Sequence, residues 1–394
     1  MQCAHFDAGR CRSCSLIPIP HDRQLTDARA LLDELLQPFF ATTPEQIWLP
    51  PIRSAESGFR IRAKMVVSGT ANAPALGLLP LPDSPAGTPG VDLADCPLYP
   101  SVVQELLEQV RTVIRRAQIP PYDVARRRGE LKYVLVTASP DDEVMLRFVL
   151  RTRGPLPRLR EHLAPLLEAE PRLRVVSANI HHEHKATLEG PEEVPLAGED
   201  ALPMRTGDVT LQVRPQSFVQ TNAAVASELY RQVARWIDDL DPADRESPLR
   251  IWDLYCGIGG FALHAARPDT GREVTGVELS EQAVASARAA AADAGRAAAF
   301  HAEDATTWAI AQSEAGTPPP DVLIVNPPRR GIGDRLTGWI ADSGVADVLY
   351  SSCNPRSLAR DLAALHPYRI VAGRPVDMFP HTEHQEVLVH LRRT

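Results

Sequence analysis

The sequence predicts an α/β protein: a doubly wound parallel sheet in the carboxyl-terminal half, preceded by a β-rich segment and a cysteine-bearing amino-terminal region. Three observations predict it. From Leu211 onward, Ala-rich helical stretches alternate with short apolar strands at 251–255, 273–277, 321–325 and 345–350, and strand–helix alternation builds parallel sheets. Upstream, strand-like alternation at 132–137, 145–151 and 173–181 is set between turn signals. Four of the six cysteines fall within the first hundred residues.

At 394 residues the chain exceeds one core, so about two or three domains are expected. The composition shifts divide it into a cysteine region (1–100), a β-rich central domain (101–210) and the α/β domain (211–394). A helix is expected at 101–117, a Pro- and Gly-rich loop at 80–90, and a flexible loop at 313–320. We find no internal repeat. Apolar residues make up 44% and charged residues 23%, an ordinary globular balance. The amino terminus lacks a charged segment followed by an apolar one. No apolar run is long enough for a bilayer. A soluble, cytoplasmic protein, active as a monomer, is expected.

The net charge of −8 argues mildly against a nucleic-acid partner, but distribution matters more than the sum. Residues 111–160 hold 12 Arg and Lys against 5 Asp and Glu, including Arg126, Arg127, Arg128 and Lys132. Arg60, Arg62 and Lys64 alternate along an earlier strand-like stretch. A solvated basic face explains such a patch equally well. It bears on nucleic acid only beside a site that needs one.

The first candidate site is Ile251-Trp252-Asp253-Leu254-Tyr255-Cys256-Gly257-Ile258-Gly259-Gly260-Phe261, a buried strand entering a glycine-rich turn and then a helix. Glycines let the backbone turn sharply and approach a cofactor closely. Glu278 ends the next strand, where a carboxylate can hold ribose hydroxyls. Asp304 and Asn326 follow the third and fourth strands, again at carboxyl ends. Gly257-x-Gly259-x-x-Ala262 with Glu278 also satisfies a dinucleotide fingerprint, and a mere tight turn is the plainest reading. Asn326-Pro327-Pro328-Arg329-Arg330-Gly331 separates them. Its prolines hold a rigid turn that NAD enzymes do not require, so methyl transfer from S-adenosylmethionine is favoured. Asn-Pro-Pro also fits methylation of an exocyclic amino group. An aromatic residue usually follows it there, and here Arg329 follows.

The second candidate site is a thiol and a carboxylate. Cys353, in Tyr350-Ser351-Ser352-Cys353-Asn354-Pro355, follows a strand of the same sheet. Glu386 directly precedes the apolar run Val387-Leu388-Val389. Alone, Cys353 reads as a buried inert thiol and Glu386 as a solvated charge. Together, downstream of a cofactor site, they supply what methylation of uracil carbon 5 requires. A thiolate adds at carbon 6 to make carbon 5 nucleophilic, and a base later removes the carbon 5 proton. Such a site is expected to favour ionisation of its cysteine. Cys256, within the cofactor turn, is the weaker nucleophile candidate.

Cys3, Cys11, Cys14 and Cys96 are spaced C-x7-C-x2-C-x81-C. Four thiolates suit structural zinc or an iron–sulfur cluster, and spacing alone leaves both open. Disulfides are not expected in a cytoplasmic protein. The run His181-His182-Glu183-His184, taken as strand, would alternate faces and not converge on a metal.

From Met1-Gln2-Cys3 to Phe379-Pro380-His381-Thr382 the chain resembles the bacterial RNA uracil-C5 methyltransferase family, and within it the branch that modifies uridine 747 of 23S rRNA. The resemblance implies a Rossmann-like methyltransferase domain, with Cys353 as nucleophile and Glu386 as base. It implies S-adenosylmethionine contacts from Gln220 (within Gln216-Ser217-Phe218-Val219-Gln220-Thr221-Asn222), Tyr255, Glu278 and Asn326. Tyr255 stands where relatives commonly have Phe, and Asn326 where some have Asp. The resemblance also tips the four cysteines toward a structural 4Fe-4S cluster. The implied partner is a 23S rRNA loop, since a base must leave its stack to be reached and does so most cheaply in loops. The central domain is the part expected to hold it. Some relatives carry an RNA-binding barrel before their cysteines, whereas here the cysteines begin at Cys3. The alternatives are an amino-group methyltransferase and an NAD-linked iron–sulfur oxidoreductase. An inactive RNA-binding module would be expected to lack Cys353 or Glu386.

Overall fold

The expected helix at 101–117 places Val102, Val103, Leu106, Leu107, Val110, Val113 and Ile114 on one stripe, the three-and-four spacing of a core-facing helix. In the computed structural model, which describes residues 1–80, 90–185, 187–241 and 245–394, the helix spans Ser101–Ala117 and all seven are buried. The Pro- and Gly-rich loop falls outside the described residues except at its two ends.

The chain divides into two compact units. The first comprises 1–14, 55–204 and 214–216. Its sheet contains β1 (Arg62–Gly69), β2 (Pro74–Leu78), β3 (Val91–Asp92), β4 (Leu131–Ala138), β5 (Val144–Leu150), β6 (Leu173–Ile180) and β7 (Glu192–Gly198), in the order β3-β2-β1-β4-β5-β6-β7. Only β5 and β6 are parallel; helix Leu156–Ala169 connects them, because parallel neighbours need a crossover. The ribbon β8 (Leu202–Thr206) and β9 (Val209–Val213) forms a separate two-stranded sheet.

The second unit comprises 15–54, 205–213 and 217–394. Its sheet holds β10 (Arg250–Leu254), β11 (Glu273–Glu278), β12 (Ala298–Ala302), β13 (Val322–Val325), β14 (Asp347–Ser352), β15 (Tyr368–Val376) and β16 (Glu386–Arg393), in the order β12-β11-β10-β13-β14-β16-β15. The strands β10 to β14 are parallel, as alternation with helices requires. β16 returns antiparallel between β14 and β15. The strand order reverses between β11 and β13 on either side of β10, which opens the crevice where α/β sheets bind ligands.

The expected division into 1–100, 101–210 and 211–394 therefore differs from the structure. Residues 62–92 pair into the same sheet as the central strands, so no boundary falls near 100. Residues 15–54 belong with the α/β unit. Phe40, Trp48 and Ile52 bridge to Ile370, Gly373 and Val376 along β15, and a Cβ at Gly373 would stand 2.6 Å from the Trp48 ring. Leu32, Leu36 and Trp48 pack with Tyr350, Val389 and Leu358 in one core. Low local periodicity hides such a segment, because its partner strand lies over three hundred residues away.

Candidate active site

The glycine turn follows β10. Tyr255 (φ 65) and Gly257 (φ 55) both take left-handed backbone, and no atom lies within 4 Å of where a Gly257 Cβ would stand. Gly260 is there for packing, since a Cβ would meet the Tyr230 ring at 2.5 Å. Beneath the turn, Asp253 is fully buried and its Oδ2 accepts from the Ala262 amide at 2.9 Å. Burial pushes its carboxyl up to about 8. Glu278 ends β11, its carboxylate accepting from the amides of Gly257 (3.3 Å) and Ser280 (2.9 Å). Leu279, the next residue, is 71% exposed. Asp304 accepts from the Thr307 amide as cap of helix Ala305–Glu314. Burial raises the Tyr255 hydroxyl, with Thr306 opposing.

The fourth strand leads into Asn326 and the proline turn. Gly331 (φ 85) closes that turn against Asp361, whose Oδ2 would stand 2.2 Å from a Gly331 Cβ. The same Oδ2 accepts from the Ile332 amide (2.9 Å) and the Tyr350 hydroxyl (2.8 Å). Asp361 thus ties helix Pro355–Ala364 to both β14 and the turn. Asn354, cap of that helix, donates to the Arg329 carbonyl at 3.0 Å.

β16 brings the thiol and carboxylate together. Its antiparallel register pairs Ser352 with Val387 and Ser351 with Leu388, so Glu386, its first residue, arrives beside the end of β14 from which Cys353 emerges. Glu386 is buried, and its Oε1 accepts from Ser351 Oγ at 2.9 Å. Burial raises its carboxyl to about 7, against the Ser351 bond and the Arg329 charge. Cys353 is also raised, by burial first and then by the Glu386 charge, with Arg329 opposing. The expectation that the site favours ionisation of Cys353 is therefore not met in the free chain. A desolvated thiol beside a carboxylate holds its proton. Cys353 lines a cavity of about 260 Å³ with Arg329, and Glu386 lines one of about 460 Å³; Arg356, Glu383, His384 and Gln385 border both.

The four predicted cofactor contacts belong to this unit. Tyr255, Glu278 and Asn326 sit at or one residue beyond the carboxyl ends of β10, β11 and β13, while Gln220 is buried in the loop before helix Ala223–Asp239. Sequence reasoning left Arg329, Ser351 and Asp361 without roles. The signal for Arg329 was its place after Asn-Pro-Pro; Ser351 and Asp361 show only in three dimensions.

The four amino-terminal cysteines lie in the first unit. Burial raises Cys14 to about 12, and charge on Cys96, Cys11 and Cys3 adds to the shift, so the four share one neighbourhood. Among the described residues, no group of three or more His, Cys, Asp or Glu side chains has the geometry to hold a single metal ion. The histidine run falls beyond β6, not on a strand. His181 Nε2 meets the Thr187 carbonyl at 2.8 Å, and His184 Nδ1 meets the Tyr122 hydroxyl at 2.9 Å. No helix among the described residues is long and apolar enough to cross a membrane.

Parallel strands in this order, with a glycine turn and a carboxylate at neighbouring strand ends, are the architecture of S-adenosylmethionine-dependent methyltransferases, and a model described as "Methyltransferase domain" matches residues 251–316. A second, described as "tRNA (Uracil-5-)-methyltransferase", matches residues 320–394. Two relatives from Escherichia coli, strains O139:H28 (E24377A / ETEC) and O9:H4 (HS), are each 45% identical over 99% of both chains. Both bear the name 23S rRNA (uracil(747)-C(5))-methyltransferase RlmC. The crystal structure of Pyrococcus abyssi tRNA (uracil-54, C5)-methyltransferase with S-adenosyl-L-homocysteine superposes with a TM-score of 0.77 at 25% identity, covering 97% of this chain and 86% of that one. The chain belongs to the RNA uracil-C5 methyltransferase family.

Proposed function

We propose that the protein methylates carbon 5 of a uridine in a 23S rRNA loop, uridine 747 by its relatives' names, through a covalent Cys353 adduct. The observation that carries this is the β14–β16 register, which sets a buried, hydrogen-bonded Glu386 beside the strand end bearing Cys353. An amino-group methyltransferase needs no such pair. A ribosomal substrate also fits a cytoplasmic protein.

The residues fit S-adenosylmethionine. The backbone at Gly257 is open to close approach, Glu278 is held at the neighbouring strand end to meet ribose hydroxyls, and exposed Leu279 offers an apolar face to a base. Gln220, Tyr255 and Asn326 complete the contacts. When bound, the cofactor supplies an electrophilic methyl group. Cys353 gives its proton to solvent water and its thiolate forms a bond to carbon 6 of the uracil, moving the ring electron pair toward carbon 5. Carbon 5 takes the methyl group. Glu386 then accepts the carbon 5 proton, the carbon 5–carbon 6 double bond re-forms, and the bond to sulfur breaks. Ser351 fixes the carboxylate, and the Arg329 charge offsets the cost of ionising both groups.

Cys3, Cys11, Cys14 and Cys96 are assigned to a 4Fe-4S cluster of structural role. The support for a shared ligand set is that Cys14 lies close enough to Cys96, Cys11 and Cys3 for their charges to raise it, and four cysteine thiolates are the usual ligands of such a cluster.

A denaturing gel with labelled RNA loop and labelled methyl donor tests the division of labour. Cys353→Ala should form no covalent product and no methylated RNA. Glu386→Gln should add and methylate but stall at proton removal, leaving a methylated protein–RNA adduct. An adduct with Cys353→Ala, or normal turnover with Glu386→Gln, would overturn the assignment.

A further inference from the structure

The first unit carries a further pocket, remote in sequence from Cys353 and Glu386. It has a volume of about 340 Å³ and is bordered by Leu79, Tyr122, Val124, Lys132, Tyr133 and His184, among others. Two of the five large apolar side chains exposed among the described residues are here, Leu79 at 48% and Val124 at 46%. Isolated exposed apolar residues need no explanation, but two converging on one concavity mark a surface that something covers.

What surrounds these walls identifies the occupant. The Tyr122 ring carries the Lys132 ammonium 5.0 Å from its centroid, and that ammonium donates to the Glu183 carbonyl at 2.5 Å. The Tyr122 hydroxyl is bonded to His184 Nδ1, which fixes the ring and leaves a polar rim. The loop carrying Val124 continues into Arg126, Arg127 and Arg128, all exposed. Arg126 pairs with Asp123 at 3.1 Å; Arg127 and Arg128 make no ion pair among the described residues. The nearby carboxylate of Glu183 is taken by Lys185 at 2.7 Å. By contrast, other cations of the basic stretch are spoken for inside the sheet: Arg147 is buried and paired with Glu189 at 2.9 Å and Glu193 at 2.6 Å. An aromatic face between aliphatic walls, with a lysine over the ring and exposed arginines further along the same loop, is how single-stranded nucleic acid is held: the base stacks and the cations meet its phosphates.

We propose that this pocket binds one unstacked nucleobase of the RNA substrate, a nucleotide other than the methylated uridine. The proposal rests on the RNA reading given above. A base held here would anchor the loop in the opened form that the chemistry needs, so sequence around the target would be read by the first unit and not by the reaction site.

The test uses the full chain and a 23S rRNA stem–loop transcript containing uridine 747, with 2-aminopurine placed singly at each loop purine. Binding should change the fluorescence of 2-aminopurine at one position. Tyr122→Ala should abolish that change, and Tyr122→Phe, which keeps the ring, should retain it. Tyr122→Ala and the surface variant Leu79→Ser should each weaken RNA binding on the order of ten-fold, the scale of one lost stacking contact, with unchanged calorimetric melting of the first unit serving as the check on folding. A wild-type enzyme that fails to methylate the transcript would overturn the RNA reading and this proposal with it. Normal methylation, with RNA affinity unchanged in Tyr122→Ala and Leu79→Ser, would overturn the pocket alone.

Discussion

As the proposed base, Glu386 must act as a carboxylate in a place that disfavours carboxylates. Its folded value, about 7, lies above the ordinary 4.5 because the group is buried. The sign of the linkage follows: its contribution to stability is present at low pH and is lost as pH rises through about 7. Proton removal needs the ionised form, and Cys353, also raised, needs to ionise as well. Turnover should therefore climb as pH rises from about 6 to about 9, measured as single-turnover release of methylated RNA. A rate that falls over this range would contradict the assigned roles. Glu386→Gln keeps an acceptor for Ser351 but cannot ionise. It should raise the melting temperature more at pH 8 than at pH 5, by the equivalent of a few kcal/mol as an order of magnitude. Stability and activity oppose each other at this one side chain. The sequence pointed to both residues, but it predicted the wrong direction for Cys353. Burial and the facing carboxylate that set that direction come from strands paired across the sheet.

At the scale of elements, the helix at 101–117 and the strands that precede each ligand-bearing turn were legible from periodicity, to within one or two residues. The antiparallel return of β16 was not. Its apolar run reads as a strand without direction, and only the closure of β15 and β16 through 377–385 inserts it beside β14. That insertion makes the site, because a parallel β16 would begin at the opposite end of the sheet. The proline turn was legible as rigid, but not the reason it stays in place. Asp361 provides it, holding the turn through the Ile332 amide while the Tyr350 hydroxyl anchors the same oxygen to β14. Gly331→Ala should test this against Gly344→Ala, since both glycines have positive φ, 85° and 82°. Nothing lies within 4 Å of a Gly344 Cβ, whereas a Gly331 Cβ would collide with Asp361. Gly344→Ala should cost about 1–2 kcal/mol from backbone strain alone. Gly331→Ala should cost clearly more and lower methyl transfer too, measured by urea midpoints and initial rates. Equal costs would show that Asp361 does not brace the turn.

For the whole molecule, the sequence separated the α/β half from the β-rich part but misassigned 15–54, which joins the α/β unit, and 55–100, which joins the central sheet. Both are long-range pairings that composition cannot register. The cysteines follow the same division: Cys3, Cys11 and Cys14 are followed by forty residues of the other unit before the chain returns to supply Cys96. A cluster held by all four would close a loop of about eighty residues that leaves the first unit at Cys14, runs through 15–54 of the second and returns to Cys96. Cross-links that restrict long loops remove much entropy from the unfolded chain, and because all four ligands belong to the first unit, its melting should respond most to loss of the cluster. Protein purified without oxygen should be brown and hold about four irons per chain. Cys14→Ser should lose the iron and lower the melting of the first unit. Binding of S-adenosylhomocysteine, whose proposed contacts all lie in the second unit, should persist. Iron content, calorimetric melting and ligand titration on the same preparations check the three parts. Stoichiometric zinc in anaerobic protein would sink the cluster assignment, and an unchanged melting profile in Cys14→Ser would remove its structural role.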